Sequence, residues 1–599
     1  MILSILFVLL TAVYLTLLEF SKNTWPGWLF AVATCVLVLL LHHFHKAKPP
    51  LLFLGFFLFL IVNYFVTAPP VKRVPAVALK HPAVTKVLHL KDGDITGVYN
   101  ADHSVKVYAG IPYAAPPIGD LRFREPQPVE KWTDTLACDH FGPMAMQPRP
   151  AVLIDSLSHL LGYHDYRMQW GDEYREAMSE DCLYLNVFAP SKQNKPLPVI
   201  FYIHGGSLTT GQSSYTEYRG EDLAKKGVIF VNFAYRLGVF GYYAAKDLQE
   251  ESPHHTTGNY GLLDQIAALN WVKENIAVFG GDPDQVTIAG ESAGASSAGA
   301  LCVSPLTKGL FRYCIAESSG IIAKKPFHTY RDFATALKEG ATVRKEFGAK
   351  KSANLRTLSA QELLKTQSNQ SAMTQDGYAI MEPPYQTYEK GNNHEQALLH
   401  GFNAKEADAF ILDKHATKEN YKQLLADEIG AYAKEMARIL PAHSHKRDQH
   451  FIIDKGGDAK GALATAYSAI WFSYSHHVWN RYLMEQNRPS YEYYFTKTNR
   501  SLSNYHAGEL PYAYGNLWRH PGLYTKSDEK LSEIMQNYWT NFAKTGNPNG
   551  KGLPNWPMRH SGQTELLQLD TTIKTVPDPN EALYKIIDAY QDSLTTSKP

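Results

Sequence analysis

The stretch Val286-Thr-Ile-Ala-Gly-Glu-Ser-Ala-Gly-Ala-Ser-Ser-Ala-Gly-Ala-Leu301 has the residue types and spacing to present a nucleophile. Val286–Ala289 is β-branched and apolar, as a buried strand requires. Gly290-Glu291-Ser292-Ala293-Gly294 then turns the chain, and a run of small residues enters a helix. Gly-x-Ser-x-Gly at a strand-to-helix turn is the pattern of a nucleophile elbow, which holds a serine hydroxyl proud of the sheet. The two glycines let strand and helix pass where a Cβ would collide. The helix start also points free N–H groups and the positive end of its dipole at whatever sits beside Ser292.

A serine hydroxyl becomes a useful nucleophile only when a base takes its proton, and the base needs a carboxylate to orient it. With 24 histidines in the chain, context has to choose. His506 lies in Tyr505-His-Ala-Gly-Glu-Leu-Pro-Tyr-Ala-Tyr-Gly515, shortly after the strand candidate Tyr491–Thr496. Loops leaving the C-terminal strand ends are where an α/β sheet presents its catalytic groups. The order serine, acid, histidine places the acid between 292 and 506. Glu406 follows the strand candidate Ala397–Phe402 directly, with Asp408 and Asp413 as close rivals. Donors for a developing oxyanion are offered by His204-Gly205-Gly206-Ser207, which follows the apolar strand Val199–Ile203. The N–H of Ala293, next after the serine, would complete that set.

Such residues need a sheet to position them. Leu197–His204, Val228–Tyr235, Val286–Ala289, Ala397–Phe402 and Tyr491–Thr496 read as strands, and Leu262–Glu274 has a helical apolar period. Strands alternating with helices predict an α/β fold with a mostly parallel sheet covered on both faces. A net charge of +1 gives no electrostatic case for nucleic acid, and no His/Cys cluster has metal-ligand spacing. No metal or organic cofactor is called for. Five cysteines are too few for a disulfide framework.

The first seventy residues differ in kind. Ile2–Phe20, Trp25–Leu41 and Leu51–Ala68 are apolar segments near the short limit of the ~17–25 residues a bilayer crossing needs. Short polar loops join them, and Trp25, Trp28 and Tyr64 sit near their ends as interfacial anchors would. No basic region precedes the first and no small-residue cleavage site follows it, against a signal peptide. The expected organisation is a membrane anchor of three transmembrane helices over 1–70, a proline-bearing linker over 71–90, and a catalytic domain over 91–599. Lys46 and Lys48 on one face, against Lys22, Lys72, Arg73 and Lys80 on the other, lean toward a cytoplasmic domain, with the opposite face left open.

The chain resembles the type-B carboxylesterase/lipase family, which includes para-nitrobenzyl esterases, carboxylesterases and cholinesterases. The matching segments run from about Asp94 to about Asp570. They include Tyr108–Phe123, Ser179–Val187, Tyr235–Gly241, Gly258–Gln265, Asn275–Pro283, the elbow, and Trp539–Pro548. The resemblance implies the α/β-hydrolase fold, with Ser292 as nucleophile, Glu406 as acid and His506 as base. It also implies Gly206, Ser207 and Ala293 as oxyanion-hole positions, with Glu291 shaping the pocket. Two departures stand out. Ser207 occupies a position where many members carry a third glycine, and non-catalytic adhesion relatives also tolerate serine there. Cys182 occupies a family disulfide position, but its usual partner position is Ala145, so that bridge is expected to be absent.

The expected activity is a membrane-anchored serine carboxylesterase acting on small-molecule esters through an acyl-enzyme. A non-catalytic interaction protein on the same fold and an acyltransferase to a lipid alcohol are the alternatives. The segment Pro148–Met178, with Tyr163, Tyr166, Trp170 and Tyr174, is expected to cover the site entrance, and Phe472–Val478 to form a helix face near it.

Overall fold

A computed structural model describes residues 2–20, 26–44, 48–67, 82–148, 178–445, 454–498, 504–519, 524–560, 562–563 and 565–596. Most of the aromatic segment Pro148–Met178 therefore lies outside the described residues, as do Trp25, Lys22, Lys46, Lys72, Arg73 and Lys80.

The N-terminal part forms three apolar helices, α1 (Ile2–Phe20), α2 (Pro26–His43) and α3 (Pro49–Val66). Phe7, Tyr14 and Leu18 of α1 share one buried seam with Ala31, Cys35 and Val38 of α2 and with Leu52, Phe56 and Leu60 of α3. Trp28 and Tyr64 pack against that seam. Two of the three helices, α2 and α3, are long and apolar enough to cross a bilayer. The expectation of three spans is thereby reduced to two. Among the described residues the apolar run of α1 is Leu3–Leu18.

The rest is built on one large mixed sheet. In chain order its strands are β1 (Val98–Tyr99), β2 (Val105–Pro112), β3 (Tyr184–Pro190), β4 (Leu197–Ile203), β5 (Ile229–Phe233) and β6 (Gly281–Glu291). Then come β7 (Tyr313–Glu317), β8 (Ala397–Asn403), β9 (Ser490–Phe495), β10 (Glu565–Leu569) and β11 (Lys574–Pro577). Across the sheet they run β11-β10-β9-β8-β7-β6-β4-β5-β3-β2-β1. Pairing is parallel from β10 through to β5 and antiparallel at both flanks. The parallel strands β4, β5, β7 and β8 are buried along their whole length, which is why they read as continuous apolar runs rather than alternating ones.

Two large apolar clusters cover the faces of this sheet. One packs under α4 (Tyr260–Asn275) and α5 (Ala293–Val303), and the other under α7 (Lys526–Thr545). Every residue of α5 is buried, and its run of small side chains lets it lie close to β6. Val84 bridges to Val98, and Leu88–His89 pairs with Asp94–Thr96.

Candidate active site

Ser292 sits between β6 and α5 with φ 56° and ψ −126°, a conformation an L-residue adopts at a cost of roughly 1–3 kcal/mol. The surroundings hold it there. Its N–H donates to the carbonyl of Glu317 on β7 at 2.8 Å. A Cβ on Gly294 would overlap the Ile203 carbonyl, and one on Gly290 would overlap the backbone of Gly294. The glycines are thus required by the close passage of β4, β6 and α5.

Parallel β8 and β9 carry the other two groups in the loops that leave their C-terminal ends. Those loops are stitched together: Lys405 N–H donates to the Asn504 carbonyl at 3.0 Å, and Asn403 Nδ2 to the Tyr505 carbonyl at 2.8 Å. Glu406, fully buried, accepts from the Asn403 N–H at 2.7 Å through Oε1. Its Oε2 lies 2.7 Å from His506 Nδ1, and His506 Nε2 lies 2.8 Å from Ser292 Oγ. With Nδ1–H directed at Glu406, Nε2 is left to accept the serine hydroxyl. Of the rival acids, Asp413 is exposed, and the carboxylate on Nδ1 is that of Glu406.

The segment after β4 passes beside the serine. Gly205 lies so close that a Cβ there would stand 2.8 Å from the Glu291 carbonyl and 3.1 Å from Ser292 Cβ. Gly206, Ser207 and Leu208 follow with φ of 104°, 54° and 59°. Their turn is closed by the Thr209 and Thr210 N–H groups, which both donate to the Gly206 carbonyl at 3.0 Å. Gln147 grips Gly211 from both sides, donating to its carbonyl at 2.8 Å and accepting its N–H at 2.9 Å. Ser207 is exposed, and Ala293 is buried as the first residue of α5.

Behind the histidine lies a set of buried carboxyls that sequence reasoning did not assign together. Glu291 Oε1 is 3.2 Å from His506 Nε2. Burial pushes Glu291 up to about 8, with the charges of Glu509 and Glu406 adding to the rise and His506 opposing it. For His506 burial acts downward, but Glu291 and Glu406 outweigh it and raise the imidazole to about 9. A protonated Glu291 exerts no such pull, so a neutral carboxyl there leaves His506 free to act as a base near pH 7. Glu509 accepts from Ser318 Oγ at 3.2 Å, from Tyr493 Oη at 3.3 Å and from Asn403 Nδ2, and burial with the neighbouring Glu406 charge raises it to about 7. Glu317, bonded by Tyr514 Oη at 2.7 Å and Trp539 Nε1 at 3.1 Å, is pushed well up by burial and the charge of Glu509. Glu509 stands three residues after His506, and that spacing was the available signal.

Rings enclose the imidazole. Phe472 lies 4.7 Å from it and Phe410 5.1 Å, centroid to centroid. Of the two histidines in Phe472–Val478, His476 pairs with His400 at 3.2 Å between Nδ1 atoms, and His477 faces Asp588 at 3.6 Å. All five cysteines are buried free thiols. Cys182 and Ala145 line the same small cavity with Arg122 and Arg236, so the family bridge position is occupied by a thiol and a methyl.

A mostly parallel sheet with a strained serine between strand and helix, and a histidine and acid on later strand ends, defines the α/β-hydrolase class. A model of the carboxylesterase family matches residues 84–585, and the chain belongs to that family of serine hydrolases acting on carboxylic esters. It is 34% identical over 512 residues to the para-nitrobenzyl esterase of Bacillus subtilis, covering 80% of this chain and 94% of that one. It is 33% identical over 497 residues to the fumonisin B1 esterase of Sphingopyxis macrogoltabida, covering 79% and 84%. A solved PNB esterase superposes with a TM-score of 0.69 at 30% identity, over 84% of this chain and 99% of that one. The three N-terminal helices precede the matched region.

Proposed function

We propose that this chain hydrolyses carboxylic esters through an acyl-enzyme on Ser292. His506 takes the hydroxyl proton as Oγ attacks the ester carbonyl, and the N–H groups of Gly206, Ser207 and Ala293 receive the charge that develops on oxygen. His506 then returns the proton to the departing alcohol, and water repeats the sequence to release the acid. Glu406 fixes the imidazole tautomer and stabilises its cationic form. Glu291 holds a proton beside the base without taking part in the main transfer. The single observation that carries this reading is the continuous line Glu406–His506–Ser292, with contacts of 2.7 and 2.8 Å ending on a strained serine at a helix start. The relatives named esterases support the ester class. Labelling with a fluorophosphonate tests the assignment: the intact chain takes the label and Ser292→Ala does not, and equal labelling of both would sink it. A series of p-nitrophenyl esters from acetate upward then gives the acyl preference.

We propose further that the N-terminal helices tether the enzyme to a membrane. They form a bundle whose outward face is apolar, with Leu9, Val13, Leu37, Leu54, Ile61 and Val66 exposed. A contiguous apolar surface of that kind requires lipid or a protein partner to cover it. On this reading α2 and α3 cross the bilayer with α1 packed on them, and the hydrolase unit follows after the linker. Alkaline carbonate extraction of expressing cells tests it; release of the full chain into the supernatant would refute the anchor.

A further inference from the structure

The helical segment that brings Phe472 to the base is irregular. Ala469–Ser473 forms a π-turn ahead of α6 (Tyr474–Glu485): the Tyr474 N–H reaches back to the Ala469 carbonyl, five residues earlier, instead of four. Widening a helix by one residue displaces carbonyls from the regular ladder, and such turns collect at functional sites. The carbonyl of Trp471, within that turn, accepts a hydrogen bond from His328 Nε2 at 2.8 Å. The His328 ring lies 5.5 Å from that of Phe472, which is itself 4.7 Å from His506. The next residue reaches the nucleophile's helix. Thr329 Oγ1 bonds Ser296 Oγ at 2.9 Å, and Ser296, one turn after Ser292 on α5, bonds Ser319 Oγ at 2.8 Å. Two consecutive residues thus join the nucleophile's helix to the turn that walls the base.

We infer that His328 and Thr329 act as a clamp, with His328 a positioning residue that holds Phe472 against His506 and so fixes the imidazole relative to Ser292. The inference rests on the assignment of Ser292 and His506 as nucleophile and base. The physical case is that Glu406 restrains His506 through one nitrogen only, which leaves the ring free to pivot about that bond. Phe472 and Phe410 close the pivot from the sides. Burial of His328 pushes it down to about 4, so it stands neutral and its N–H is available to Trp471 throughout the working range.

The test uses the full chain and p-nitrophenyl acetate, with His328→Leu, His328→Gln and Thr329→Val. Misplacing a reacting group by about 1 Å costs on the order of 100-fold, so a loosened wall in His328→Leu is expected to lower kcat by roughly 10- to 30-fold with KM within about twofold. His328→Gln, which retains an N–H donor, recovers most of that loss. Thr329→Val, which leaves His328 in place, loses roughly two- to fivefold in kcat. A readout that simple loss of packing stability would not move is the acid limb of kcat against pH. His506 is faced by Glu291 at the end of β6, Glu406 after β8, Glu509 on its own loop and His328 across Phe472. Water admitted past a loosened Phe472 solvates the imidazole and also screens the carboxylates that outweigh burial there, so the limb moves to lower pH, toward the ordinary imidazole value. A His328→Leu enzyme with parental kcat overturns the clamp, as does a loss that His328→Gln fails to relieve with the limb unmoved. If His328→Leu does not fold, parental kcat in Thr329→Val overturns it. An inactive parent chain takes down the Ser292–His506 assignment and the clamp with it, whereas an active parent beside a fully active His328→Leu removes the clamp alone.

Discussion

In α1–α3 large apolar side chains such as Val13, Leu54 and Val66 point outward, while Tyr14, Thr34 and Asn63 are turned into the seam. Around the sheet the arrangement is reversed: Val, Ile, Leu and Phe fill both faces. Both regions bury polar groups, but they do so differently. In the bundle these groups are uncharged, and each finds a nearby carbonyl: Tyr14 Oη donates to Leu60 at 2.8 Å, Asn63 Nδ2 to Gly27 at 2.9 Å, and Thr67 Oγ1 to Asn63 at 2.7 Å. In the domain they include ionisable ones: Glu291, Glu317, Glu406, Glu509 and His506 lie buried together, and burial pushes Glu291 up to about 8 and Glu509 up to about 7. A polar group matched to a backbone carbonyl stabilises geometry and nothing more. A buried carboxyl and an imidazole that compete for a proton provide chemistry, because small changes of charge move the proton.

The comparison is sharpened most by removing the hydroxyl proposed as the nucleophile. Ser292→Ala is expected to cost roughly 10⁴- to 10⁶-fold in kcat on p-nitrophenyl esters with folding intact, measured by steady-state rates and thermal melting. Glu406→Gln, which keeps the shape but not the charge on Nδ1, should cost roughly 10⁴-fold by the same assay. Deleting residues 1–81 is the matching cut in the other region: the protein moves from the membrane pellet to the supernatant and keeps its turnover on soluble esters. Loss of turnover on that deletion would break the separation drawn between the two regions. Glu291→Gln isolates the shared proton. Burial keeps Glu291 protonated near pH 7, and an amide carries the same zero charge, so the acid limb of kcat/KM should stay in place; a move of on the order of one unit to lower pH would show an ionised Glu291 instead. Asn63→Leu is expected to act on stability alone: losing an interhelical bond in a lipid setting costs about 0.6 kcal/mol and leaves kcat alone.

The Gly-x-Ser-x-Gly elbow, the glycine pair before Ser207 and the strand-then-loop placing of Glu406 and His506 are all written in local patterns. They were legible because each depends on a steric demand within a few residues. Gly294, for instance, is needed wherever a helix starts that close to a neighbouring strand. The choice of Glu406 over Asp408 and Asp413 was different. Residue chemistry left it open, and only family resemblance or the 2.7 Å contact to His506 selects it.

What the chain determined by itself was a class of chemistry and the segments that hold it, since turn sterics and apolar periodicity act over short distances. Only tertiary structure decided the rest. The carboxyls of β6, β7 and the His506 loop converge because strands distant in sequence lie side by side, and their protonation follows from a shared burial that no one segment contains. The packing of Phe472 on His506 and the contact of His328 with the Trp471 carbonyl likewise lie on a π-turn whose single extra residue leaves no periodic trace.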